Sequence, residues 1–189
     1  MASWEPTILT EDTSPAAKET CTLCELCGHG SRVIWGEGNP AAPIFVVLDN
    51  PGARENKEGK PYLCSTRETL QMTAYEVGLN PDSFYISYIL KCRPRKAYDK
   101  KTARDICIKY LWGQLDKVKP EVVFVLGNVA CQAFFGDPTV EVKNIRGRIH
   151  EVRNYKTTVS YHPLAIRRRP VLYKYFFEDW ELTAKQIQT

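Results

Sequence analysis

Residues 44–52, Ile-Phe-Val-Val-Leu-Asp-Asn-Pro-Gly, decide the fold class of this chain. The first five are apolar at every position, so a strand built from them is buried on both faces. Such strands belong to parallel sheets that helices cover on both sides. The Asn-Pro-Gly that follows Asp49 favours a turn, which ends the strand. Three later runs have the same character: FYISYILK (84–91), EVVFVLG (121–127) and TTVSY (157–161).

Helical patterns separate these runs. Ser65 and Glu68 have the spacing of a capping box, which predicts the start of a helix. A second helix is predicted to start at Thr102, a third to cover residues 128–135, and a last one to cover about residues 171–184. Alternating strands and helices predict an α/β fold, a three-layer α/β/α sandwich with a central, mainly parallel four-stranded sheet.

Unusual residues follow each of the four predicted strands. In an open α/β sheet, functional groups gather at the carboxyl ends of the strands. The four segments found there are Asp49-Asn50-Pro51-Gly52, Lys91-Cys92-Arg93-Pro94, Gly127-Asn128 and His162-Pro163. We therefore expect the functional site at this edge of the sheet.

The composition is that of an ordinary globular domain, with 43% hydrophobic and 25% charged residues in 189. This length suits one well-buried α/β domain, which we assign to residues 21–189. Residues 1–20 are polar and acidic, unlike a signal peptide, and are expected to form a loosely ordered lead-in. No stretch approaches the roughly 18 apolar residues of a membrane helix. We expect a cytoplasmic, monomeric protein with no membrane association.

Positive charge is concentrated in two segments, although the net charge is only +4. Residues 91–104 carry seven Lys or Arg against one acid, Asp99, and residues 143–169 carry eight against Glu151. Basic runs are commonly just solvated surface, but both of these adjoin strand ends with other unusual residues. Together they favour a face that binds a polyanion through phosphate contacts, which makes binding salt-dependent.

The chain has seven cysteines. An odd number in a sequence that looks intracellular argues against a disulfide framework. Cys21 and Cys24 have the spacing of a metal-binding pair, since two intervening residues let both thiolates face one centre. Cys92 and Cys107 complete a four-thiolate set that suits either zinc or an iron–sulfur cluster. Cys131 lies in an apolar helix and is expected to be a buried side chain. Two cysteines remain unassigned, the first of which competes with Cys24 as a ligand: Cys27 and Cys64.

Nine short motifs follow one another along roughly residues 21–182: CTLC, GEGNP, DNPG, EGKPYL, YILKCRP, CIKYL, VVFVLGNVA, IRG and YHP. Their order resembles that of the iron–sulfur, or family 4, uracil-DNA glycosylases. The resemblance implies the same three-layer sandwich, DNA as the partner, and hydrolysis of the bond between a base and its sugar. It also implies a structural [4Fe-4S] cluster, rather than zinc, on four cysteines: Cys21, Cys24, Cys92 and Cys107.

The resemblance also implies roles for other residues. A base inside a duplex is out of reach, so the nucleotide must be flipped into a pocket. His162 is then expected to hydrogen-bond O2 of the departing base and stabilise its charge, and Tyr62 to stack on the flipped base. Arg167, Arg168 and Arg169 follow in the loop that enters the DNA, where one fills the space left by the base and the others bind phosphates.

Two strand ends carry further candidates. Gly127 and Asn128 open a helix whose N–H groups suit a phosphate, with simple capping by Asn128 as the alternative. The family's GEAPG motif is here replaced by Leu48 to Gly52, in which Asp49 keeps the acid one methylene shorter. Asn50 resembles the Asn of the G-I/M-N-P-G motif in mismatch-specific and single-strand-selective branches, where it positions water. We expect Asp49 and Asn50 to act in hydrolysis, without assigning the water to one of them.

Tyr88 is the larger departure. The family reads T-N-V-V-K-C-R-P, and its Asn recognises the uracil edge, whereas Tyr88 occupies that place here. An amide offers one donor and one acceptor to uracil, and a phenol is bulkier and chemically different. Three hypotheses remain: a uracil glycosylase, a glycosylase for a deaminated purine or modified pyrimidine, and an inactive member that only binds DNA. Four retained residues favour an active enzyme: Asp49, Asn50, Tyr62 and His162.

Overall fold

The computed structural model describes residues 4–15, 18, 20–53 and 64–187. Its strands are β1 (Glu11–Asp12), β2 (Gly36–Gly38), β3 (Ile44–Leu48), β4 (Phe84–Tyr88), β5 (Val122–Leu126), β6 (His150–Val152) and β7 (Tyr155–Ser160). Its helices are α1 (Ser65–Glu76), α2 (Lys100–Val118), α3 (Asn128–Phe135), α4 (Val142–Ile145), α5 (Pro163–Arg168) and α6 (Tyr173–Ala184), with short 3-10 turns at Glu25–His29, Pro81–Ser83 and Pro170–Leu172.

The strands form one seven-stranded sheet in the order β1-β2-β4-β3-β5-β7-β6. Its centre is parallel, since β3 pairs with β4 and β5, and β5 pairs with β7. Strands β1, β2 and β6 add to the two edges in antiparallel orientation. The predicted α/β class is confirmed. The predicted four-stranded sheet is not, because these three short strands extend the four central ones.

The core lies on both faces of the sheet, because successive side chains of a strand point to opposite sides. In β3, Ile44, Val46 and Leu48 pack into the cluster under α1 and α6. Phe45 and Val47 pack into the opposite cluster, under α2 and α3. Helices therefore cover the two faces, as the uninterrupted apolar run predicted.

Two predicted helix starts differ from the structure. Helix α1 begins at Ser65, but its N-cap is Cys64 and no side chain caps it, so the predicted Ser65–Glu68 capping box is wrong. Helix α2 begins at Lys100, two residues before the predicted start. The reason is that Asp99 caps it by accepting the N–H of Thr102. None of the helices in the described ranges is long and apolar enough to cross a membrane.

Candidate active site at the carboxyl edge of the sheet

A cleft of about 660 Å³ opens where β3, β5 and β7 end. Because these strands are parallel neighbours, the segments that follow them meet at one edge of the sheet. The cleft is lined by predicted residues from all three segments, namely Asp49, Gly127, Asn128, His162, Arg168 and Arg169. The chain thus brings together three of the four strand ends that the sequence analysis singled out.

His162 stands at the junction of β7 and α5, with about a quarter of its side chain exposed. Its Nδ1 accepts the backbone N–H of Leu164 at 3.1 Å, so this nitrogen carries no proton. In a neutral imidazole the proton is then on Nε2, which is the nitrogen that faces Asp49. The local backbone therefore selects the tautomer that donates a hydrogen bond into the cleft.

Asp49 faces this histidine in the cleft. Its Oδ1 lies 3.7 Å from His162 Nε2 and accepts the backbone N–H of Asn50 at 2.8 Å. The Asn50 amide instead donates to the carbonyl of Pro51 at 2.9 Å, and Asn50 does not line the cleft. Of the predicted pair, the carboxylate is thus the member that faces the histidine.

Gly127 allows the histidine to approach the end of β5. A Cβ at this position would lie 3.0 Å from the Cβ of His162, and the glycine has a φ of 90°, which other residues rarely adopt. Asn128 does not cap its own helix, because its side chain accepts the N–H of Val142 at 2.9 Å. The alternative of simple capping by Asn128 is therefore wrong, and the asparagine instead fixes the segment before α4.

The basic residues of the second charged segment divide into two groups. Arg167, Arg168 and Arg169 are all exposed at the end of α5, and the last two line the cleft. Lys143 also lines it, paired with Glu141 at 2.9 Å. Arg146 is instead drawn inward, where it forms an ion pair with a buried acid of α6. This arginine serves the interior of the protein, although its place in a basic run suggested a surface role.

Tyr88 is enclosed at the end of β4, with 1% of its surface exposed. Its hydroxyl accepts a hydrogen bond from Arg67 of α1, which is also ion-paired with Glu37 of β2. In the sheet it lies beside Leu48, directly before Asp49. Tyr88 does not line the described cleft. The predicted base-stacking residue Tyr62 lies outside the described residues.

Three of the four predicted ligand cysteines meet in one apolar cluster beside α2. Cys92 and Cys107 are buried in this cluster, and Cys24 packs against it. Cys21 lies at its edge, where its sulfur is 3.6 Å from the hydroxyl of Tyr110, a ring that also packs against the cluster. Positions far apart in the sequence therefore bring four thiols to one part of the fold.

The charges of these thiols depend on one another. The pKa of Cys92 is raised to about 12, first by burial and then by the thiolates of Cys107, Cys24 and Cys21. Burial also raises the pKa of Cys107, and a backbone hydrogen bond from Lys91 opposes this effect. Four thiolates coexist here only when cations compensate their charge. Among the residues that the structure describes, no group of three Cys, His, Asp or Glu is arranged to hold a metal ion.

The other three cysteines have different surroundings. Cys27 is exposed and is not part of the apolar cluster. Cys64 is buried at the start of α1. Cys131 is fully buried in α3, where its sulfur lies 3.8 Å from the carbonyl of Val125, and burial raises its pKa to about 12. Cys131 is thus a buried side chain, as predicted.

Comparison with known proteins identifies the family to which this site belongs. Residues 35–182 match the family model of the uracil DNA glycosylase superfamily. The chain belongs to this superfamily. The type-4 uracil-DNA glycosylase of Archaeoglobus fulgidus is 30% identical over 171 residues, 86% of this chain and 85% of the relative. That of Sulfurisphaera tokodaii is 31% identical over 172 residues, 86% and 78% of the two chains. That of Thermotoga maritima is 29% identical over 150 residues, 78% of each.

Membership of this superfamily confirms the resemblance and the predicted enzyme class. The protein is a DNA N-glycosylase, a hydrolase that binds DNA. The cleft at the carboxyl edge lies within the matched residues, and so do the segments that carry Asp49, Gly127 and His162.

Sequence reasoning missed several residues of this glycosylase. Glu141 and Tyr161 line the cleft, and Arg67 holds the hydroxyl of Tyr88. The position of Tyr161 beside His162 is the only sequence signal among these. Arg67 and Glu141 reach their positions because α1 and the segment before α4 pack on the sheet. No local sequence pattern predicts this packing.

Proposed function

We propose that this glycosylase flips a base out of DNA into the cleft and hydrolyses its N-glycosidic bond between His162 and Asp49. The observation that carries the proposal is the distance of 3.7 Å between His162 Nε2 and Asp49 Oδ1, which follow β7 and β3 on the two sides of β5. A hydrogen-bond donor and a carboxylate side by side in one cleft can stabilise the anionic base and the cationic sugar that form when the bond breaks. All these residues follow strands of one sheet, which supports a single-domain enzyme.

The reaction separates charge. The bond between C1′ of the sugar and the ring nitrogen of the base breaks, and its electron pair leaves with the base. His162 donates through Nε2 to the oxygen of the departing base, because its Nδ1 is occupied by the N–H of Leu164. The base leaves as an anion whose charge this hydrogen bond stabilises.

Asp49 acts on the other side of the bond. Its carboxylate stabilises the cationic sugar and orients the water whose oxygen bonds to C1′, and it accepts that water's proton. The orientation of the Asn50 amide towards the Pro51 carbonyl supports Asp49, rather than Asn50, in this role. Asn50 supports the acid through its backbone N–H, which donates to Asp49 Oδ1.

Two candidate bases are favoured by different observations. The names of the relatives, type-4 uracil-DNA glycosylases, favour uracil. Tyr88 in place of the family's uracil-reading asparagine favours a deaminated purine or a modified pyrimidine, because the site then lacks the amide whose donor and acceptor match the uracil edge. Tyr62 completes the proposal as the residue that stacks on the flipped base.

An excision screen tests the function and the base together. The protein is incubated with single-stranded and duplex oligonucleotides that carry deoxyuridine, deoxyinosine, deoxyxanthosine or a 5-substituted pyrimidine, and alkali-labile sites are counted. Cleavage of one or more substrates supports the proposal, and the fastest one identifies the base. Tight binding without cleavage of any substrate would instead favour the alternative of an inactive DNA-binding member.

Tyr88→Asn is expected to raise uracil excision relative to excision of the fastest substrate in the screen. One regained pair of hydrogen bonds to the uracil edge corresponds to roughly 1–3 kcal/mol of discrimination. The measurement is the ratio of kcat/KM values for the two substrates. Tyr88→Phe is the control, since it removes the hydroxyl that Arg67 contacts without supplying an amide, and it should leave uracil disfavoured. An unchanged ratio in Tyr88→Asn would contradict the role of this residue in base selection.

The exposed arginines after His162 are proposed to enter the DNA, with one filling the space left by the base and the others on phosphates. Their exposure, and the position of Arg168 and Arg169 at the cleft, support this role. The helix start at Gly127 and Asn128 is proposed as a further phosphate contact, because its backbone borders the same cleft.

Changing Arg167, Arg168 and Arg169 together to Gln is expected to weaken the salt dependence of DNA binding. Each lost phosphate contact lowers the slope of log Kd against log salt by about 0.9 on duplex or about 0.7 on single strands. Fluorescence anisotropy at several salt concentrations measures the slope. A matched control changes three exposed lysines at the other edge of the sheet to Gln, namely Lys117, Lys119 and Lys185. Equal slopes in the two triple variants would argue against the arginines as the DNA contact.

A structural [4Fe-4S] cluster is proposed on Cys21, Cys24, Cys92 and Cys107. The gathering of these four thiols in and beside one apolar cluster supports a group that they bind together. A [4Fe-4S] cluster takes one thiolate per iron, which matches the four cysteines of this set. Bound there, the cluster would join the N-terminal segment to β4 and α2.

A further inference from the structure

A buried polar group lies behind the predicted catalytic histidine. Ser160 ends β7, two residues before His162, and its hydroxyl donates to Oδ2 of Asp179 at 2.5 Å. Asp179 comes from the middle of α6, and both side chains are fully buried. Neither residue lines the cleft, so they reach the site only through the backbone that follows β7.

The carboxylate of Asp179 is paired with the guanidinium of Arg146. Arg146 donates to it twice, from Nε and Nη2, each at 2.8 Å. The guanidinium in turn donates to the carbonyl of Tyr175 at 2.9 Å and to Glu178 at 3.0 Å. A buried ion pair costs desolvation on both sides, so it is weak evidence for net stability and better evidence for holding one arrangement.

The buried ion pair between Arg146 and Asp179 holds an arrangement that includes the ends of β5 and β7, which border the cleft. The carbonyl of Ser160 accepts the N–H of Gly127 at 2.8 Å, which ties the end of β5 to the end of β7. His162 then packs against Gly127 where a Cβ would intrude at 3.0 Å. Ser160 therefore connects Asp179 and Gly127 to the turn that carries His162.

We propose that Asp179, acting through the hydroxyl of Ser160, is a positioning residue that sets the distance between His162 and Asp49. The inference builds on the proposed role of His162 as the donor to the leaving base. Asp49 and His162 lie on different strands, so a shift of the β7 end relative to its neighbours moves the donor away from the base oxygen. Displacements of about 1 Å in a catalytic group lower turnover by roughly 10²-fold, and the loss of one anchoring hydrogen bond is expected to give part of that loss.

The same strand and helix offer a matched control. The Thr158 and Thr183 hydroxyls hydrogen-bond at 2.7 Å, which also joins β7 to α6 in the buried interior. Thr158 is two residues further from His162 than Ser160 is. Losing this hydrogen bond also removes a contact between β7 and α6, but it leaves Ser160 anchored, and with it the turn that carries His162.

The experiment compares Ser160→Ala with Thr158→Val in the full chain. The readouts are kcat and KM on the oligonucleotide that the excision screen cleaves fastest, together with the thermal unfolding midpoint. Ser160→Ala is expected to lower kcat about tenfold with KM within about twofold, because positioning acts on the chemical step. Thr158→Val should lower the midpoint comparably and leave kcat within about twofold. Equal kcat losses in both variants, or an unchanged kcat in Ser160→Ala, would overturn the proposal.

Two further variants keep the outcome clear. If Ser160→Ala does not fold, Ser160→Cys carries the test, since a thiol of similar size is only a weak donor and should lower kcat in the same direction. His162→Ala is assayed alongside. Retained activity in His162→Ala would refute the proposed function itself. If His162→Ala loses activity as expected but kcat is unchanged in Ser160→Ala and Ser160→Cys, only the positioning role is refuted.

Discussion

Replacing His162 with alanine is expected to slow base excision by about 10²–10³-fold, the usual cost of removing one donor that stabilises developing negative charge. The imidazole is held by the Leu164 N–H so that Nε2 donates into the cleft, and alanine leaves no donor there. The loss should appear in the rate constant of the chemical step, measured under single-turnover conditions with enzyme in excess over DNA. It should be similar for every base that the enzyme excises, because the donor acts on leaving-group charge rather than on base identity.

His150→Ala is the matched control for this variant. His150 is partly buried and its Nε2 is bonded to the carbonyl of Ile145 at 2.8 Å, away from the cleft. Its loss should leave kcat within about twofold. DNA affinity of His162→Ala, measured by anisotropy, should stay close to that of the unchanged protein. A His162→Ala protein that excises bases at the normal rate would contradict the assignment of the leaving-group donor.

The Cys92→Ser variant is expected to lose its iron and much of its stability. The unchanged protein should be brown, with broad absorbance near about 400 nm, which is typical of iron–sulfur proteins. Cys92 is buried among the other candidate thiols. A serine hydroxyl at this position is a poor metal ligand, and it would be buried in apolar surroundings. Because metal binding is coupled to folding, the bleached variant should also unfold at a lower temperature. Iron content, the visible spectrum and the thermal midpoint measure these effects.

Cys131→Ala separates loss of a ligand from loss of a buried cysteine. Cys131 is fully buried in a different cluster from the candidate ligands, the one under α2 and α3. Its removal leaves a small cavity and lowers stability slightly, but the colour and iron content should not change. A colourless native protein that contains one zinc per chain would refute the [4Fe-4S] proposal and favour the tetrahedral zinc alternative.

The central part of the fold follows directly from the sequence. The runs that begin at Ile44, Phe84 and Val122 are apolar at nearly every position, and each became a parallel strand buried on both faces. Strands β1, β2 and β6 were not predicted, because they are two or three residues long and carry Glu, Asp, Gly and His. Such segments become strands only when a longer strand is already present to pair with them.

The candidate site, like the fold, was predicted from the sequence only in part. The residue types at the strand ends, such as Asp49, Gly127 and His162, mark a site because parallel strands bring their carboxyl ends together. The sequence alone did not decide between Asp49 and Asn50 as the group that faces the histidine. That choice depends on the Asn50 amide turning back to the Pro51 carbonyl, a matter of local backbone direction rather than of residue type.

What the sequence by itself determined is the α/β class, the edge of the sheet that carries the site, and the superfamily. The class and the edge depend on uninterrupted apolar runs and on the residues that follow them, which act over a few neighbouring positions. The superfamily depends on the order of the nine short motifs, which resembles that of a known family. Only the tertiary structure decided that Arg146 turns inward to Asp179, and that Arg67 holds Tyr88. Both contacts join residues more than 20 positions apart. Whether a charged side chain lies in water or in the interior depends on what packs against it, and that partner is set by the fold.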